Sequence, residues 1–449
     1  MQRVTLAGPP RSPTGDDDAP APVPGPVAPS PTAAVPPSRP GLRQSLAAFR
    51  HRNFALFWTG AVLSNTGTWV QNVTVPYVVF QLTGSAAWVG ATAFAQLVPM
   101  SVLSLVGGTL SDRYDRRHIL LVTQSLAALV ALALAGVWAA DLASVGVVVG
   151  LVALGGVVMG INVPSWQAFV SELVPRDTLL NAVTLNSAQF NAARAFGPAV
   201  GGLVLGTLGP GWAFGINAVS FVAVIAALLA IRTPKLVKDL SRRADVIGDV
   251  GATVAYVRRN RGMLAAFVSV GVLGIFGQPI ISLIVVFAEQ VFEVDGLAYG
   301  AMAGAIGLGS VLAAPVVAGP GSALTRSRLA LVAMVGYGAA LGAFAVSPAY
   351  GPAFLALLVA GAAYLPIAAT LNTTIQLQVD EARRGKVLAL YITLFTVTIP
   401  IGSLVQGGLA DLVGPRWVTG VAAALFVLAT LGLRAAGLLA RLDDERADA

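Results

Sequence analysis

Twelve stretches of this chain are each apolar over the ~20 residues that a helix needs to cross a bilayer. They are 54–80, 86–110, 118–138, 145–169, 179–206, 212–231, 263–288, 297–318, 329–347, 352–376, 387–409 and 417–437. Nothing else in the sequence constrains the fold as strongly. Lipid offers no partner for a bare backbone N–H or C=O, so a spanning segment is either a helix or a strand of a closed barrel. Runs of this length exceed a barrel strand of ~10 residues. Composition agrees: 56% of the 449 residues are hydrophobic and 11% are charged, where a soluble domain has about a quarter charged. The expected fold class is an all-α membrane protein.

The basic residues test the count and set the orientation. Of 28 Lys and Arg, all but two fall in the N-terminal segment, in alternate connections (113–117, 176, 232–261, 326–328 and 383–386) or in the C-terminal group at and after the end of the last span (Arg434, Arg441 and Arg446). The exceptions are Arg416, in an opposite connection, and Arg194, inside a span. The positive-inside rule then places both termini in the cytoplasm. A missed or extra span would invert every later connection, so the asymmetry supports an even number of crossings. The same placement assigns the net charge of +7 to topology and not to nucleic acid, which is not an expected partner. With no cysteine, disulfides and thiolate metal sites are excluded. The two histidines, His51 and His118, stand beside arginines at span starts, and no metal or cofactor is expected.

Residues 1–42 are rich in Pro, Ala and Ser, with an acidic run at Asp16–Asp18. Such a composition buries too little to fold and has no apolar core of a signal peptide, so it reads as a disordered cytoplasmic tail. The longest connection, 232–261, is basic and polar. It divides the chain into a first bundle, 43–231, and a second, 262–437, followed by a cytoplasmic tail, 438–449. Within the connection, Ile247 to Arg259 has the pattern of an amphipathic helix at the membrane surface. Six spans on each side of a linker is the layout of repeat-built transporters. A weak internal match supports it: Gly201-Gly202-Leu203 followed by Gly209-Pro210-Gly211-Trp212, against Gly407-Gly408-Leu409 followed by Gly414-Pro415-Arg416-Trp417, with one gap.

The connection between the second and third spans reads Gly107-Gly108-Thr109-Leu110-Ser111-Asp112-Arg113-Tyr114-Asp115-Arg116-Arg117. Adjacent glycines let neighbouring helices approach closely. Asp112 ends a helix and is able to receive a neighbouring helix N-terminus or a basic partner. The arginines have Glu172, Asp177, Asp380 and Glu381 as carboxylates on adjacent connections. Pairs of this kind form in one conformation and break in another, which makes a latch. The pattern Gly-x-x-x-Asp-Arg-x-x-Arg-Arg, carried by Gly108, Asp112, Arg113, Arg116 and Arg117, resembles the signature of the major facilitator superfamily. The resemblance implies that superfamily's fold, twelve transmembrane helices in two six-helix pseudo-repeats. The second half departs from it. There the chain reads Gly319-Pro320-Gly321-Ser322-Ala323-Leu324-Thr325-Arg326, without the acid, so the latch is expected to be asymmetric. Ser64 to Gln71, Leu82 to Ser85, and Leu185 to Asn191 with Arg194 further resemble the bacterial branch of enterobactin exporters and macrolide-efflux-like proteins. The resemblance covers 43–437.

Gly197-Pro198-Ala199-Val200-Gly201-Gly202 in the fifth span is similar to the core of a motif of exporters that work as antiporters, with Ala193 where that motif has its first glycine. Pro198 removes a backbone hydrogen bond and bends the helix; Gly197, Gly201 and Gly202 permit tight packing. Arg194 lies ~15 residues into the span, near mid-membrane. An Arg there costs at least ~2.5–3.5 kcal/mol, so it is expected to face the interior. At about 100° per residue, Ser187, Asn191, Arg194, Pro198 and Gly201 share one face. In the first span Asn65, Thr68, Trp69, Asn72 and Pro76 do the same. The candidate substrate-binding or coupling residues are Arg194, Asn191, Gln189, Asn65, Trp69, Asn72, Gln278, Asn372 and Gln376. An apolar cavity with amides, aromatics and one cation suits an amphipathic substrate with an anionic group. Each amide alone reads more readily as an interhelical hydrogen bond.

The function these features point to is secondary active transport: export of small amphipathic or hydrophobic compounds (a drug, siderophore or secondary metabolite) by alternating access. Proton antiport is the energy source the resemblance offers, yet no carboxylate lies deep inside a span. Asp112, Glu289 or a proton held on the substrate near Arg194 are the remaining coupling candidates. Two other readings fit: a non-transporting receptor or assembly scaffold, and an importer of the same superfamily. An enzyme does not fit, since the spans hold no paired acids, metal cluster or nucleophile elbow. The expected partners are a small-molecule substrate, the lipid bilayer and protons, with the protein a monomer. The expected location is the bacterial inner membrane, multi-pass.

Overall fold

The computed structural model describes residues 46–232 and 246–444. The tail at 1–42, part of the linker at 233–245 and the last residues, 445–449, lie outside the described residues. The chain is all-helical, and each predicted span falls on one helix. These are α1 (Arg52–Thr83), α2 (Ala86–Arg113), α3 (Arg116–Ala139), α4 (Val145–Val170), α5 (Leu179–Leu208) and α6 (Pro210–Ala230) in the first set. A linker helix, α7 (Val246–Arg259), follows. The second set is α8 (Arg261–Val291), α9 (Gly296–Ala318), α10 (Arg326–Val346), α11 (Tyr350–Gln378), α12 (Arg384–Val413) and α13 (Pro415–Ala435). Among the described residues, ten helices are long and apolar enough to cross a membrane. The two long helices outside that group are α1 and α5, the two that carry the polar stripes.

Local chemistry explains where the helices start and stop. Asp115 accepts from the N–H groups of Arg117 and His118 at the start of α3, and Asp295 from that of Ala298 at the start of α9. Such caps satisfy amides that a helix cannot bond itself. Gly209 (φ +83°) and Gly414 (φ +89°) take backbone angles that side chains resist, and Pro210 and Pro415 follow at the first helical position. Each Gly-Pro pair thus closes one helix and opens the next. The outward surface is apolar; Val219 is 70% exposed and Leu412 79%. That is the surface of a multi-span membrane protein, for which lipid replaces water.

α8 is the irregular rod of the set. It contains two π-helical turns, Leu273–Gly277 and Phe287–Val291. A π turn breaks the regular ladder and is often found where a helix has a task besides spanning. Gln406 of α12 stitches the first one, donating to the carbonyl oxygens of Ile275 (2.8 Å) and Phe276 (3.4 Å). α7 docks on the second set: the Asp380 N–H donates to the Tyr256 hydroxyl (3.1 Å), and the Arg383 guanidinium lies 4.5 Å from the Tyr256 ring. Burial there pushes the Tyr256 hydroxyl pKa above its usual value.

The helix ends define two faces of the bundle. The motif end carries the α2–α3 connection. The far end carries the starts of α2 and α9 and the ends of α5 and α12.

Candidate functional site

At mid-height, Arg194 of α5 reaches across to the second set. Its Nη2 donates to the Tyr364 hydroxyl of α11 (3.3 Å), and its guanidinium lies 5.2 Å from the Tyr364 ring. Behind it Tyr364 approaches Tyr337 of α10, ring centroids 6.4 Å apart, and the Tyr337 hydroxyl donates to the Gly277 carbonyl at the π turn of α8 (3.1 Å). Four of the five guanidinium donors of Arg194 have no protein partner among the described residues. A half-buried cation with open donors, framed by phenols, is arranged to accept an anion.

α5 is shaped by its glycines to wedge between α1 and α9. A Cβ at Gly197 would lie 2.4 Å from Trp69 Cβ, and one at Gly201 3.1 Å from Val70 Cα, both on α1. A Cβ at Gly202 would lie 2.3 Å from Gly300 Cα on α9. Pro198 is buried between these contacts. The motif glycines are thus placed where backbones meet.

The candidate amides do not gather around Arg194. Asn65 donates to Gln189 (3.0 Å), which donates to Asn186 (3.5 Å), and Asn186 also accepts from the Trp166 indole (3.3 Å). That chain ties α1, α4 and α5 together on the motif side of Arg194. Asn72 accepts from Gln96 of α2 (3.3 Å), so the polar stripe of α1 splits between two neighbours. Asn191 is exposed and bonds Ser187 of its own helix (2.9 Å). Asn372 accepts from Gln376 one turn along α11. Gln278 is buried at the end of the first π turn of α8. Tyr364 and Tyr337 were missed by sequence reasoning. A tyrosine two residues before Pro366, in mid-span, was the available signal.

The latch residues bond within the first set. Arg116 pairs with Glu172 at 2.7 Å, with both side chains largely buried, and also reaches Asp112 at 3.7 Å. Arg117 donates from Nε to the Leu228 carbonyl (2.6 Å) and from Nη2 to that of Leu229 (3.1 Å), sealing the last turn of α6. Asp112 is 81% exposed. One expectation is corrected: a Cβ at Gly108 meets nothing within 4 Å, whereas one at Gly107 would lie 2.7 Å from the Gly160 carbonyl of α4. The close approach therefore belongs to Gly107, because only that position of the pair points at α4. Glu381 is engaged locally by Arg384 (3.4 Å) and not by the α2–α3 arginines. In the second half, Asp443 sits at the start of α10. It accepts from the Ser327 N–H (2.9 Å) and from the Ser327 hydroxyl.

The two sets meet at the far end. Tyr299 donates to the Val73 carbonyl (3.0 Å), Gln81 to Glu289 (3.0 Å) and Gln290 to the Gly84 carbonyl (3.3 Å). Backbones touch there too: a Cβ at Gly90 of α2 would lie 2.2 Å from the Ser403 carbonyl of α12. A separate apolar groove of about 230 Å³ lies between α8, α12 and α13, walled by Ile275, Val405, Trp417 and Val421 among others. It opens on the outside of the bundle and does not include Arg194.

Comparison with known proteins agrees with this architecture. The family model described as Transmembrane secretion effector matches residues 43–447. The Multidrug efflux pump Tap of Mycolicibacterium fortuitum is 27% identical over 369 residues, covering 79% of this chain and 88% of its own. The Enterobactin exporter EntS of Citrobacter koseri is 23% identical over 410 residues, covering 87% of this chain and 93% of its own. Among solved structures, the inward-facing, unoccupied form of a bacterial homologue of the human lysosomal transporter Spinster superposes with a TM-score of 0.70. It does so at 13% identity, over 88% of this chain and 99% of that one, a likeness of fold alone.

Proposed function

The chain belongs to the transmembrane secretion effector family of major facilitator transporters, and from that premise we propose that it exports small amphipathic compounds carrying an anionic group. The transporters it resembles include a drug efflux pump and a siderophore exporter. The observation that carries the substrate class is Arg194 with open donors between the two sets, beside Tyr364. A guanidinium in a low-dielectric site binds carboxylate or a similar oxyanion far more strongly than it would in water. With no acid facing it, a cation would be repelled there.

In this reading the chain crosses the membrane twelve times, as two six-helix bundles, 43–231 and 262–437, joined by the 232–261 linker, with 438–449 after the last span. The motif end and both termini face the cytoplasm of a bacterial cell, in its inner membrane. Contacts at the far end support a state closed to the outside and open inward. Gly108, Asp112 and Arg113 then face the space that α12 enters when the inner end shuts, while Arg116 and Arg117 hold the loop in shape. Gly197, Pro198, Gly201 and Gly202 set the fit of α5 between α1 and α9. Asn65, Gln189 and Trp69 fix the height of Arg194; Asn191, Asn372 and Gln376 line the route on its motif side, Asn72 lies on its far side, and Gln278 is buried at the first π turn of α8. The protein works as a monomer. Among the described residues no carboxylate faces Arg194, so in this reading the inward-moving proton is carried by another group, Asp112 or Glu289, and not by the exported anion.

The test is export of an anionic and a cationic amphipathic dye from loaded cells. Arg194→Ala is expected to abolish export of the anionic dye with the protein still folded in the membrane, and Arg194→Lys to retain part of it. Unchanged export by Arg194→Ala removes the arginine from the site.

A further inference from the structure

Asp411 lies near the end of α12 in the second set, yet its hydrogen bonds go to the start of α2 in the first. It accepts from the Ala86 N–H at 2.7 Å, from the Ala87 N–H at 3.1 Å and from the Ser85 hydroxyl at 2.5 Å. Ser85 is itself the N-cap of α2 and accepts from the Trp88 N–H (3.3 Å). The first turn of α2 thus has its free amides satisfied jointly, two of them by a carboxylate from the other set. These are charge-assisted bonds placed at the positive end of a helix dipole, the geometry in which a carboxylate is bound best.

The other backbone contact at this end lacks the device. At the start of α9, a Cβ at Gly206 of α5 would lie 2.8 Å from the Leu297 nitrogen, and Asp295 of the α9 segment itself caps that helix. Among the described residues, no hydrogen bond runs from an α5 side chain to the start of α9. The carboxylate at α2 is therefore not a requirement of close helix packing, since the second interface packs without it. It is a bond between the sets at the end where their backbones touch.

We propose that Asp411 is the positioning residue of the far-end gate, clasping the N-terminus of α2 while that end is closed. The clasp rests on the alternating-access reading above. Loss of the Asp411 carboxylate biases the equilibrium toward the far-end-open state.

The experiment uses the full chain in nanodiscs. The sequence has no cysteine, so spin labels at Leu142→Cys and Val346→Cys, exposed far-end positions on the two sets, report a single distance. Asp411→Ala is expected to raise the ratio of the long-distance, far-end-open population to the short one about tenfold, the scale of lost charged hydrogen bonds. Asp112→Ala is expected to leave the short distance dominant. Ala86→Pro offers a second route to the same result. Proline is well tolerated at the first helical position, the extended Ser85 backbone suits it, and it deletes the 2.7 Å donor to Asp411 while leaving the acid in place. A folded Asp411→Ala or Ala86→Pro protein with an unchanged distance distribution overturns the proposal. The distances need no substrate, so failure of dye export in the wild type would count against the exporter reading and leave this test standing.

Discussion

The contact between Gly202 and Gly300 makes a quantitative prediction. A Cβ placed on Gly300 would lie 2.1 Å from Gly202 Cα, 2.7 Å from Gly202 N and 3.2 Å from the Pro198 carbonyl oxygen. Carbon atoms rest at ~3.5–4.0 Å, so Gly300→Ala forces α5 and α9 apart by roughly 1.5 Å. Every atom it meets is backbone, so no side chain is able to rotate away. Overpacking of this kind costs about 1–3 kcal/mol. If the contact exists only in the closed far end, the whole cost falls on that state and shifts the equilibrium about 5- to 150-fold toward the open one. Spin labels on opposite sides of the far end measure the shift directly. The companion substitution Gly108→Ala, which meets nothing within 4 Å, is expected to leave that distribution in place. A Gly300→Ala protein with lowered thermal stability and an unchanged distance distribution would refute the reasoning, because the contact would then be equally present in both states.

Three other substitutions test separate parts of the structure. Gln406→Leu removes the donor to Ile275 and Phe276 and leaves a π-turn carbonyl unsatisfied, at a cost of about 1–3 kcal/mol seen as a lower melting temperature of the purified protein. Glu172→Ala strands the largely buried Arg116 and is expected to lose about 3–5 kcal/mol, visible as poor folded yield, whereas Asp112→Asn slows transport with folded yield intact. Tyr364→Phe removes the one hydrogen-bond partner of Arg194 and keeps the ring. It is expected to leave anionic dye export in place with an equal or lower KM, in contrast to Arg194→Ala.

The helices were legible because their signal is local. Twenty apolar residues between basic connections need no knowledge of neighbours, and caps such as Asp115 and Asp295 are written beside the turns they start. The two helices that fall short on hydropathy, α1 and α5, are the ones whose polar residues made them the source of site candidates. Arg194 was found for the same reason, as one charge in a long apolar run. Its partner was not, because Tyr364 is 170 positions away and a tyrosine in an apolar span is unremarkable by composition. Asp411 carries no local signal either; its three bonds to α2 are made across more than 320 positions. The amides behaved as sequence alone could not decide. Asn162 donates to Thr123 (2.8 Å) and Gln406 to a π turn, so both are interhelical ties.

The distribution of polar bonds explains how such a bundle can be rigid in its parts and mobile as a whole. Inside the first set, part-buried bonds such as Asn65 to Gln189, Asn217 to Gln71 and Arg116 to Glu172 are shielded from water. Breaking any of them leaves a group with little to replace its partner. Between the sets, Gln81 to Glu289 and the Asp411 to Ser85 bond lie at the far end, where side chains are exposed, beside the buried Tyr299 to Val73 bond. Water substitutes for the exposed partners there as the sets part, which lowers the cost of separation. Arg194 to Tyr364 joins the sets at mid-height, at the long distance of 3.3 Å. That bond has to be broken or moved when the sets rock, at a depth where water is scarce. Under the proposed export reading, a substrate anion on Arg194 would supply the missing partner, so the conformational change would be easier with substrate bound than without it.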